Sequence, residues 1–370
     1  GGSLLAFDTG SKFPAPVIST QPVARAASIG DAIRFGVVAQ NAGGAVYQWQ
    51  KDGEPIAGAN SPVLTLPVAA AKDAGAYVVT VTTANGTATS TAASLSFGQP
   101  ANPGRLVNLS ILTSLASAGD EFRFGVVVGG AGTTGGKALL VRAVGPSLAA
   151  FGVGDALADP KLEFFTGAAK VGENDNWGGT ASVAAAMAGV GAFPFAAGTS
   201  RDAAISFPSL ASGENSARIF GTGAGQVLAE LYDATPAAQF TATTPRLVNV
   251  SVLKHIGSGV TAGFVIGGSS ARRVLVRAIG PTLGAFGVEG TVADPRMTLY
   301  AGQTERGGND NWGGGSSLAA AFTQVGAFAL APDSRDSALL VTLEPGNYTV
   351  QVAGVGGTTG VALIEVYEVP

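Results

Sequence analysis

The feature that most constrains the fold of this chain is an internal repeat that occupies its last two thirds. Four segments recur in the same order: RLVNLSIL (105–112) as RLVNVSVL (246–253), ALLVRAVGPSLAAFGV (138–153) as RVLVRAIGPTLGAFGV (273–288), ADPKLEFF (158–165) as ADPRMTLY (293–300), and VLAELYD (227–233) as ALIEVYE (362–368). From Trp177 to Trp312 the offset is 135 residues. Solenoid repeats are only about 20–50 residues long, so each copy has the length of a whole domain. The sequence predicts two homologous domains, at 104–233 and 245–370.

Within each copy the apolar runs are short and interrupted by glycine. VLVRAIG (274–280) and ALLVTL (338–343) fit strands of about 5–8 residues. One short helix with a serine N-cap is predicted in each copy, at 182–190 and 316–325. Residues 345–369 fit a closing hairpin around a glycine loop. The expected fold is all-β, with two homologous β-sandwich domains of jelly-roll type, each carrying a short helix.

The segment before the repeats has a different pattern. VYQWQKDGEPIAG (46–58) contains Trp49, and a D-x-G-x-Y pattern runs from Asp73 to Tyr77. On these motifs, residues 16–97 resemble a bacterial immunoglobulin-like domain. The resemblance implies that Trp49 is the core tryptophan and that the Tyr77 hydroxyl bonds back to the main chain in a tyrosine corner.

Cysteine is absent from the whole chain. The first domain, 14–98, therefore lacks the inter-sheet disulfide of the family, and Val37 and Val79 are expected at those places. Disulfides, thiolate metal sites and thiol catalysis are excluded together. Residues 98–104 are glycine- and proline-rich and are predicted to be a linker.

The repeated domain resembles β-rich modules that recur near the C-termini of large secreted bacterial proteins. The VRAxGPxLxxFGV block, the NDNW cluster and the terminal ALIEVYE strand carry this resemblance, which covers both copies. It implies a secreted, surface-associated module without a catalytic role.

Charge and hydropathy narrow the classes of partner. The net charge of −4 argues against nucleic acid, which needs a basic patch. The longest apolar stretch, 182–198, is interrupted by glycines and a proline, so no membrane insertion is expected. The first residue is Gly1, and we expect an extracellular or cell-surface protein whose signal peptide has been removed. His255 is the only histidine and no catalytic triad motif is present; we expect no enzyme, although paired carboxylates of glycosidase type stay an alternative.

The clusters GENDNWGG (172–179) and GGNDNWGG (307–314) allow three interpretations. Asn and Asp close tight turns through their own backbone, and the following glycines supply positive φ. The same oxygens could instead hold calcium, although the number of carboxylates is low. The candidate calcium ligands are Asn174, Asp175, Asn176, Asn309, Asp310 and Asn311. A third alternative is a glycan platform on Trp177 and Trp312. No other cofactor is expected.

Several charged residues recur within apolar surroundings. Buried charge is costly unless it is paired. We expect Arg142 and Arg277 to pair with Asp159 and Asp294, which are near in sequence. Asp202 and Asp336 follow arginines, and an ion pair with a neighbouring strand is expected for each.

Residues 1–13, GGSLLAFDTGSKF, precede the first domain as an arm. The apolar residues Leu4, Leu5, Ala6 and Phe7 have the character of a strand. The arm either packs on its own first domain or is added as a strand to a neighbouring molecule. The second alternative predicts self-association into a homopolymer, since a head-to-tail contact propagates when it does not close. The sequence thus favours a structural or adhesive surface or filament subunit. The alternative is a glycan-binding accessory module of a larger secreted enzyme, with calcium dependence.

Overall fold

The computed structural model describes residues 14–27, 29–97, 102–257 and 259–370. The chain folds into two compact units, Gly1–Pro100 and Ala101–Pro370. The predicted arm, with Leu4 to Phe7, and the first four residues of the predicted linker lie outside the described residues. The prediction of an all-β fold is confirmed.

The first unit is a small sandwich of short strands. These are β1 (Val17–Thr20), β2 (Arg25–Ala27), β3 (Ile33–Gly36), β4 (Val38–Gln40), β5 (Val46–Lys51), β6 (Glu54–Pro55), β7 (Val63–Leu66), β8 (Gly75–Thr83), β9 (Gly86–Thr89) and β10 (Ala93–Phe97). One sheet has the order β2-β10-β8-β5-β6, with β9 on β8, and the other face is formed by the pairs β1-β4 and β3-β7. A 3-10 turn at Ala71–Asp73 precedes β8.

The immunoglobulin-like core motifs are in place. Trp49 is fully buried and donates its indole N–H to a backbone carbonyl oxygen 2.9 Å away. The Tyr77 hydroxyl donates to the carbonyl oxygen of Asp73 at 2.7 Å, which is the predicted tyrosine corner. Val37 and Val79 are buried in the same apolar cluster as Trp49. Apolar packing therefore fills the two positions at which a disulfide was considered.

In its described residues, the second unit contains sixteen strands and two α-helices. Repeat 1 supplies β11 (Arg105–Leu115), β12 (Glu121–Gly129), β13 (Gly136–Val144), β14 (Pro160–Thr166), β15 (Ala169–Asn174), α1 (Ala181–Gly189), β16 (Ala203–Ala211), β17 (Gly213–Gly221) and β18 (Gly225–Asp233). Repeat 2 supplies β19 (Arg246–Ile256), β20 (Val260–Gly267), β21 (Arg272–Ile279), β22 (Pro295–Ala301), β23 (Thr304–Asn309), α2 (Ser316–Val325), β24 (Ser337–Leu343), β25 (Gly346–Gly354) and β26 (Gly360–Glu368). Short 3-10 helices lie at Pro146–Phe151, Ala237–Gln239, Pro281–Phe286 and Val355–Gly357.

Each repeat has jelly-roll topology. In repeat 1 the strand orders are β16-β13-β18-β11 and β15-β14-β17-β12, so the first strand lies beside the eighth and the second beside the seventh. Repeat 2 has the same connections eight strands later. The predicted closing hairpin at 345–369 is wrong: β25 and β26 lie in opposite sheets. The glycine loop between them crosses from one sheet to the other, as this topology requires.

The two jelly rolls are joined edge to edge. β11 pairs antiparallel with β20, and β12 pairs antiparallel with β19. Two continuous eight-stranded sheets result, and each takes four strands from segment 104–233 and four from 245–370. Phe124 and Phe264, one from each repeat, belong to one continuous core between these sheets. We call the four strands β11, β12, β19 and β20 the seam.

The helices cover part of the outer faces. α1 packs on β13 and β16 of one sheet, and α2 on β24 of the other. Their positions agree with the prediction, but the serine N-caps do not: Thr180 and Gly315 occupy those positions, without a side-chain cap. None of the helices in the described part of the chain has the length and apolarity needed to cross a membrane.

The shared core predicts that the two repeats unfold together. Phe124→Ala and Phe264→Ala should each lower the free energy of unfolding by about 3–5 kcal/mol, because each leaves a cavity in the common core. Calorimetry should show the same transition shifted by either substitution. Leu253 lies on a seam strand and its side chain is 45% exposed. Leu253→Ala is therefore the control and should change the free energy of unfolding by less than about 0.5 kcal/mol. Two transitions, each sensitive to one substitution only, would contradict the shared core.

Candidate functional site

The two NDNW clusters form the same turn in both repeats. Each follows an edge strand, β15 or β23, and leads towards a helix. Asn174 donates its side-chain amide to the carbonyl oxygen of Asn176 at 3.0 Å, and Asn309 donates to that of Asn311 at 2.9 Å. The glycine pairs that follow adopt φ near +67° to +69°, a left-handed conformation that side chains disfavour. The predicted turn geometry is therefore present twice.

Each turn also connects the two sheets. Asn174 Oδ1 accepts the backbone N–H of Ala204 at 3.0 Å, and the Trp177 backbone N–H donates to the carbonyl oxygen of Asp202 at 2.9 Å. Repeat 2 has the same pair of bonds, with lengths of 3.0 and 2.9 Å: Ala338 N–H to Asn309 Oδ1, and Trp312 N–H to Asp336 O. The turn thus takes the place of a neighbouring strand at the start of β16 and β24 and satisfies their exposed backbone groups.

The tryptophan rings face inward. Trp177 is 8% and Trp312 is 6% exposed. Each indole N–H donates to a backbone carbonyl oxygen, at 3.0 and 2.8 Å, and each ring lies 5.3 Å from a phenylalanine ring, Phe195 or Phe322. Stacking of a sugar needs an exposed ring face, so this packing favours an anchoring role for both rings.

The acidic side chain of each turn is exposed and already has partners. Asp175 lies 3.2 Å from Lys161 Nζ and accepts the Asn176 amide at 3.1 Å. The hydrogen bond from Lys161, followed by that from Asn176, lowers the pKa of Asp175. Asp310 accepts the amide of Asn311 at 3.3 Å. Within the described ranges, no three His, Asp or Glu side chains come together as a metal-binding group. A calcium ion at the first turn would have to compete with Lys161 for its carboxylate.

A surface groove lies beside each turn, with a volume of about 500 Å³ in repeat 1 and 340 Å³ in repeat 2. The first is lined by Lys161, Leu162, Glu163, Glu173, Asn174, Asp175 and Phe220. The second is lined by Arg296, Thr298, Glu305, Gly308, Asn309 and Asp310. Both glutamates of the first groove pair with Lys170. The linings differ in charge and apolar content, so the repeated turn does not create the same binding surface twice.

The recurring arginines are buried, but their partners are not the predicted ones. Arg142 Nε lies 3.1 Å from Glu230 Oε2, and Arg277 Nη2 lies 2.6 Å from Glu365 Oε2. A tyrosine two residues along donates its hydroxyl to each glutamate, at 2.7 Å in repeat 1 and 2.6 Å in repeat 2. The predicted partner Asp159 instead lies 3.5 Å from an exposed arginine, and Asp294 lies 3.3 Å from another.

Burial dominates the ionisation of the first of these clusters. Desolvation raises the pKa of Glu230 and lowers that of the Arg142 guanidinium. Phenylalanine rings enclose the guanidinium, with Phe193 and Phe195 centred 4.4 and 4.6 Å from its carbon. Such contacts stabilise a desolvated cation. The cluster thus fastens the loop after α1 to the outer face of the sheet.

The expected ion pairs of Asp202 and Asp336 are also wrong. Both carboxylates are completely buried. Asp202 accepts the backbone N–H of Gly145 at 2.8 Å, and Asp336 accepts that of Gly280 at 2.7 Å. Hydroxyl groups complete the set: Ser147 and Ser200 donate to Asp202, and Thr282 and Ser334 donate to Asp336. Each aspartate therefore anchors the GP[ST] turn of its repeat.

One buried charge cluster was not predicted. Lys137 Nζ lies 2.6 Å and Arg105 Nε 3.1 Å from Asp233 Oδ2. In repeat 2, Glu368 occupies the place of Asp233, pairs with Arg246 at 3.0 Å, and accepts the backbone N–H of Leu106 at 3.2 Å. That last bond ties the end of repeat 2 to the start of repeat 1. The sequence signal was the acid that ends both ELYD and EVYE.

The comparisons with known proteins cover small parts of the chain. No protein-family model matches it. A stretch of 36 residues, 10% of the chain, is 58% identical to a decoration protein of Escherichia phage T5, and the match spans 22% of that protein. Similar solved structures include titin M4 (23% identity, 23% of this chain and 97% of that chain, TM-score 0.21) and tandem Ig repeats of Dlar (23% identity, 24% and 51%, TM-score 0.22). The immunoglobulin-like fold of the first unit stands on the geometry described above.

The turn geometry predicts that the first asparagine, and not the last, stabilises the fold. Asn174→Ala and Asn309→Ala should each lower the free energy of unfolding by about 1–3 kcal/mol, because a strand N–H loses its acceptor. Asn176→Ala and Asn311→Ala, whose exposed amides only contact the neighbouring aspartate, are matched controls and should cost less than about 0.5 kcal/mol. Denaturant unfolding measures the stability of all four variants, and equal effects at both positions would refute the stabilising role of the first asparagine.

The buried tyrosines predict a loss of stability in alkali. Burial raises the pKa of Tyr232 and Tyr367, and that of Tyr77 to about 12. The folded chain keeps these protons above pH ~10, where the unfolded chain loses them. Their contribution is therefore complete below pH ~10 and decreases as the pH rises further. Between pH 8 and 11, the free energy of unfolding measured with urea should decrease less steeply with pH in the double variant Tyr232→Phe/Tyr367→Phe than in the unsubstituted protein. An unchanged slope would exclude these groups as its cause.

Proposed function

We propose that this protein is a non-enzymatic structural subunit of an extracellular or cell-surface assembly. The observation that carries the proposal is the use of the repeated polar motifs inside the fold. The NDNW turns, the Arg–Glu–Tyr clusters and the buried aspartates each make the same internal contacts in both repeats. What the two repeats share is thus a means of holding a double jelly roll together.

The placement of the recurring acids supports a role without catalysis. Glycoside hydrolysis needs two carboxyl groups facing each other across a cleft. Glu230 and Glu365 are instead buried against arginines, and Asp202 and Asp336 are enclosed by backbone and hydroxyl donors. None of these four carboxyl groups faces an open cleft in the described part of the chain.

Two likenesses support a place on a surface. The repeats resemble modules found near the C-termini of large secreted bacterial proteins. The short match to a phage decoration protein agrees with a structural surface role. The low share of charged residues, 12% of the chain, suits close packing between subunits.

The arm supplies a means of assembly in this proposal. Residues 4–7, LLAF, form an uncharged apolar stretch between Ser3 and Asp8. A strand of this kind, added to a sheet edge of the next molecule, gains main-chain hydrogen bonds and apolar contacts. Since donor and acceptor lie on different parts of one chain, the contact is head-to-tail and extends into a polymer unless it closes.

The test is electron microscopy and sedimentation of the intact protein and of the protein without residues 1–13. The proposal expects regular fibres or large oligomers from the intact chain and single molecules after the deletion. Equal melting temperatures of both proteins would show that the deletion has not disturbed the folded units.

If both proteins stay as single molecules at high concentration, polymerisation through the arm is excluded. Glycan-array binding with calcium and with a chelator then tests the alternative of an accessory module. Glycan binding that disappears with the chelator and with Asp175→Asn would favour that alternative.

A further inference from the structure

The second unit has four sheet edges in its described part, and these edges are not equivalent. The seam uses the first two strands of each jelly roll, so β16, β15, β24 and β23 remain at the ends of the two sheets. An open edge presents backbone donors and acceptors that invite another strand, and proteins usually block it with proline, charge or a bulge. The four edges can be compared for these features.

Three edges carry such features. β16 contains Pro208 and a register shift against β13. β15 is short, carries Lys170 and Glu173, and has a register shift against β14. β23 carries Glu305 and Arg306 and has the same kind of shift against β22. Each of these edges is therefore poorly suited to accept a regular strand.

β24 has none of these features. Its sequence, SALLVTL, contains neither charge nor proline, and its register against β21 runs without a shift from Arg272↔Leu343 to Ala278↔Ser337. In the described part of the chain it pairs with β21 only. Its middle residues, Leu339 to Thr342, are half-buried, so the edge can be reached from solvent.

The available part of this edge is short and well defined. Ala338 donates its N–H to the NDNW turn and Asp336 accepts one from it, so the even-numbered residues direct their backbone groups away from β21. Leu340 and Thr342 are the next residues on that side. The part of β24 beyond Ala338, residues 339–343, is therefore open to an added strand.

The two repeats differ at an outward-facing position of this edge strand. Arg142 pairs with Ala204 and the equivalent Arg277 with Ala338. Four residues beyond these alanines stand Pro208 in repeat 1 and Thr342 in repeat 2. Repeat 1 thus lacks the outward donor that repeat 2 retains.

We infer that the free edge of β24 accepts residues 4–7 of another copy of this chain as an added strand. This inference rests on the proposed function, since it names the acceptor for the arm. The lengths agree, because LLAF has four residues and the free edge spans residues 339–343. Both segments are uncharged. Residues 8–13 supply about 20 Å of extended chain between the added strand and the first domain.

The first test introduces the proline of repeat 1 into repeat 2. Thr342→Pro removes an outward N–H that has no intrachain ladder role, and proline is tolerated at such edge positions. Thr342→Val is the matched control, because it changes the side chain and keeps the backbone donor. Thr342→Pro should lose the assembled fraction seen by sedimentation and microscopy, and Thr342→Val should retain it.

Cross-linking provides an independent test that does not depend on a proline being accommodated. The chain has no cysteine, so Ala6→Cys/Thr342→Cys introduces the only thiols. Mild oxidation should give a ladder of disulfide-linked oligomers. Ala6→Cys/Ser206→Cys places the second thiol on the equivalent, blocked edge of repeat 1 and should give no ladder.

The outcomes separate this inference from the proposed function. Assembly of folded Thr342→Pro at the native level, or equal ladders from both cysteine pairs, would overturn β24 as the acceptor and leave polymerisation through the arm standing. If the intact chain does not assemble and no ladder forms, both proposals fail.

Discussion

Strand pairing across the seam is the interaction on which the rest of the second unit depends. A separate jelly roll would expose its first two strands as edges on one side of its sandwich. Here β11 and β12 of repeat 1 pair with β20 and β19 of repeat 2, which removes four open edges at once. The apolar layers between the sheets then merge into one core. The remaining edges lie only at the far ends of the two sheets, where the repeats have diverged.

The NDNW turns cover the first backbone positions of open edge strands at the far ends of the two sheets. An asparagine side chain and a tryptophan N–H occupy the first backbone positions of β16 and β24, where no further strand is available. The buried indole fixes the turn against the helix-covered side of the sheet. The aspartate between them is exposed and contributes little to this arrangement. A motif with the composition of a cation site thus works as an edge clip.

Local pattern predicted much of the fold, because strands, turns and the tyrosine corner are encoded over a few residues. The partners of buried charges could not be predicted in this way. Proximity in sequence favoured Asp294 for Arg277, whereas the observed partner, Glu365, is 88 residues away and becomes a neighbour through β21–β26 pairing. The candidate ligand residues were correctly placed in turns, but the inward direction of Trp177 depends on packing that no local pattern contains. The pairing between the repeats could not be predicted from local pattern either, because each jelly roll has more than one edge strand that is able to pair with another strand.

The two repeats of the second unit have the same topology, but their surfaces differ in chemistry. In repeat 1 the open sheet face carries a ladder of alternating charges through Glu121, Arg218 and Glu163. The equivalent face of repeat 2 carries Thr261, Thr298 and Gln351. The edge strands differ as well: β16 of repeat 1 contains Pro208, whereas β24 of repeat 2 has a regular register. The far ends of the two repeats therefore offer different surfaces, although the contacts inside the repeats are the same.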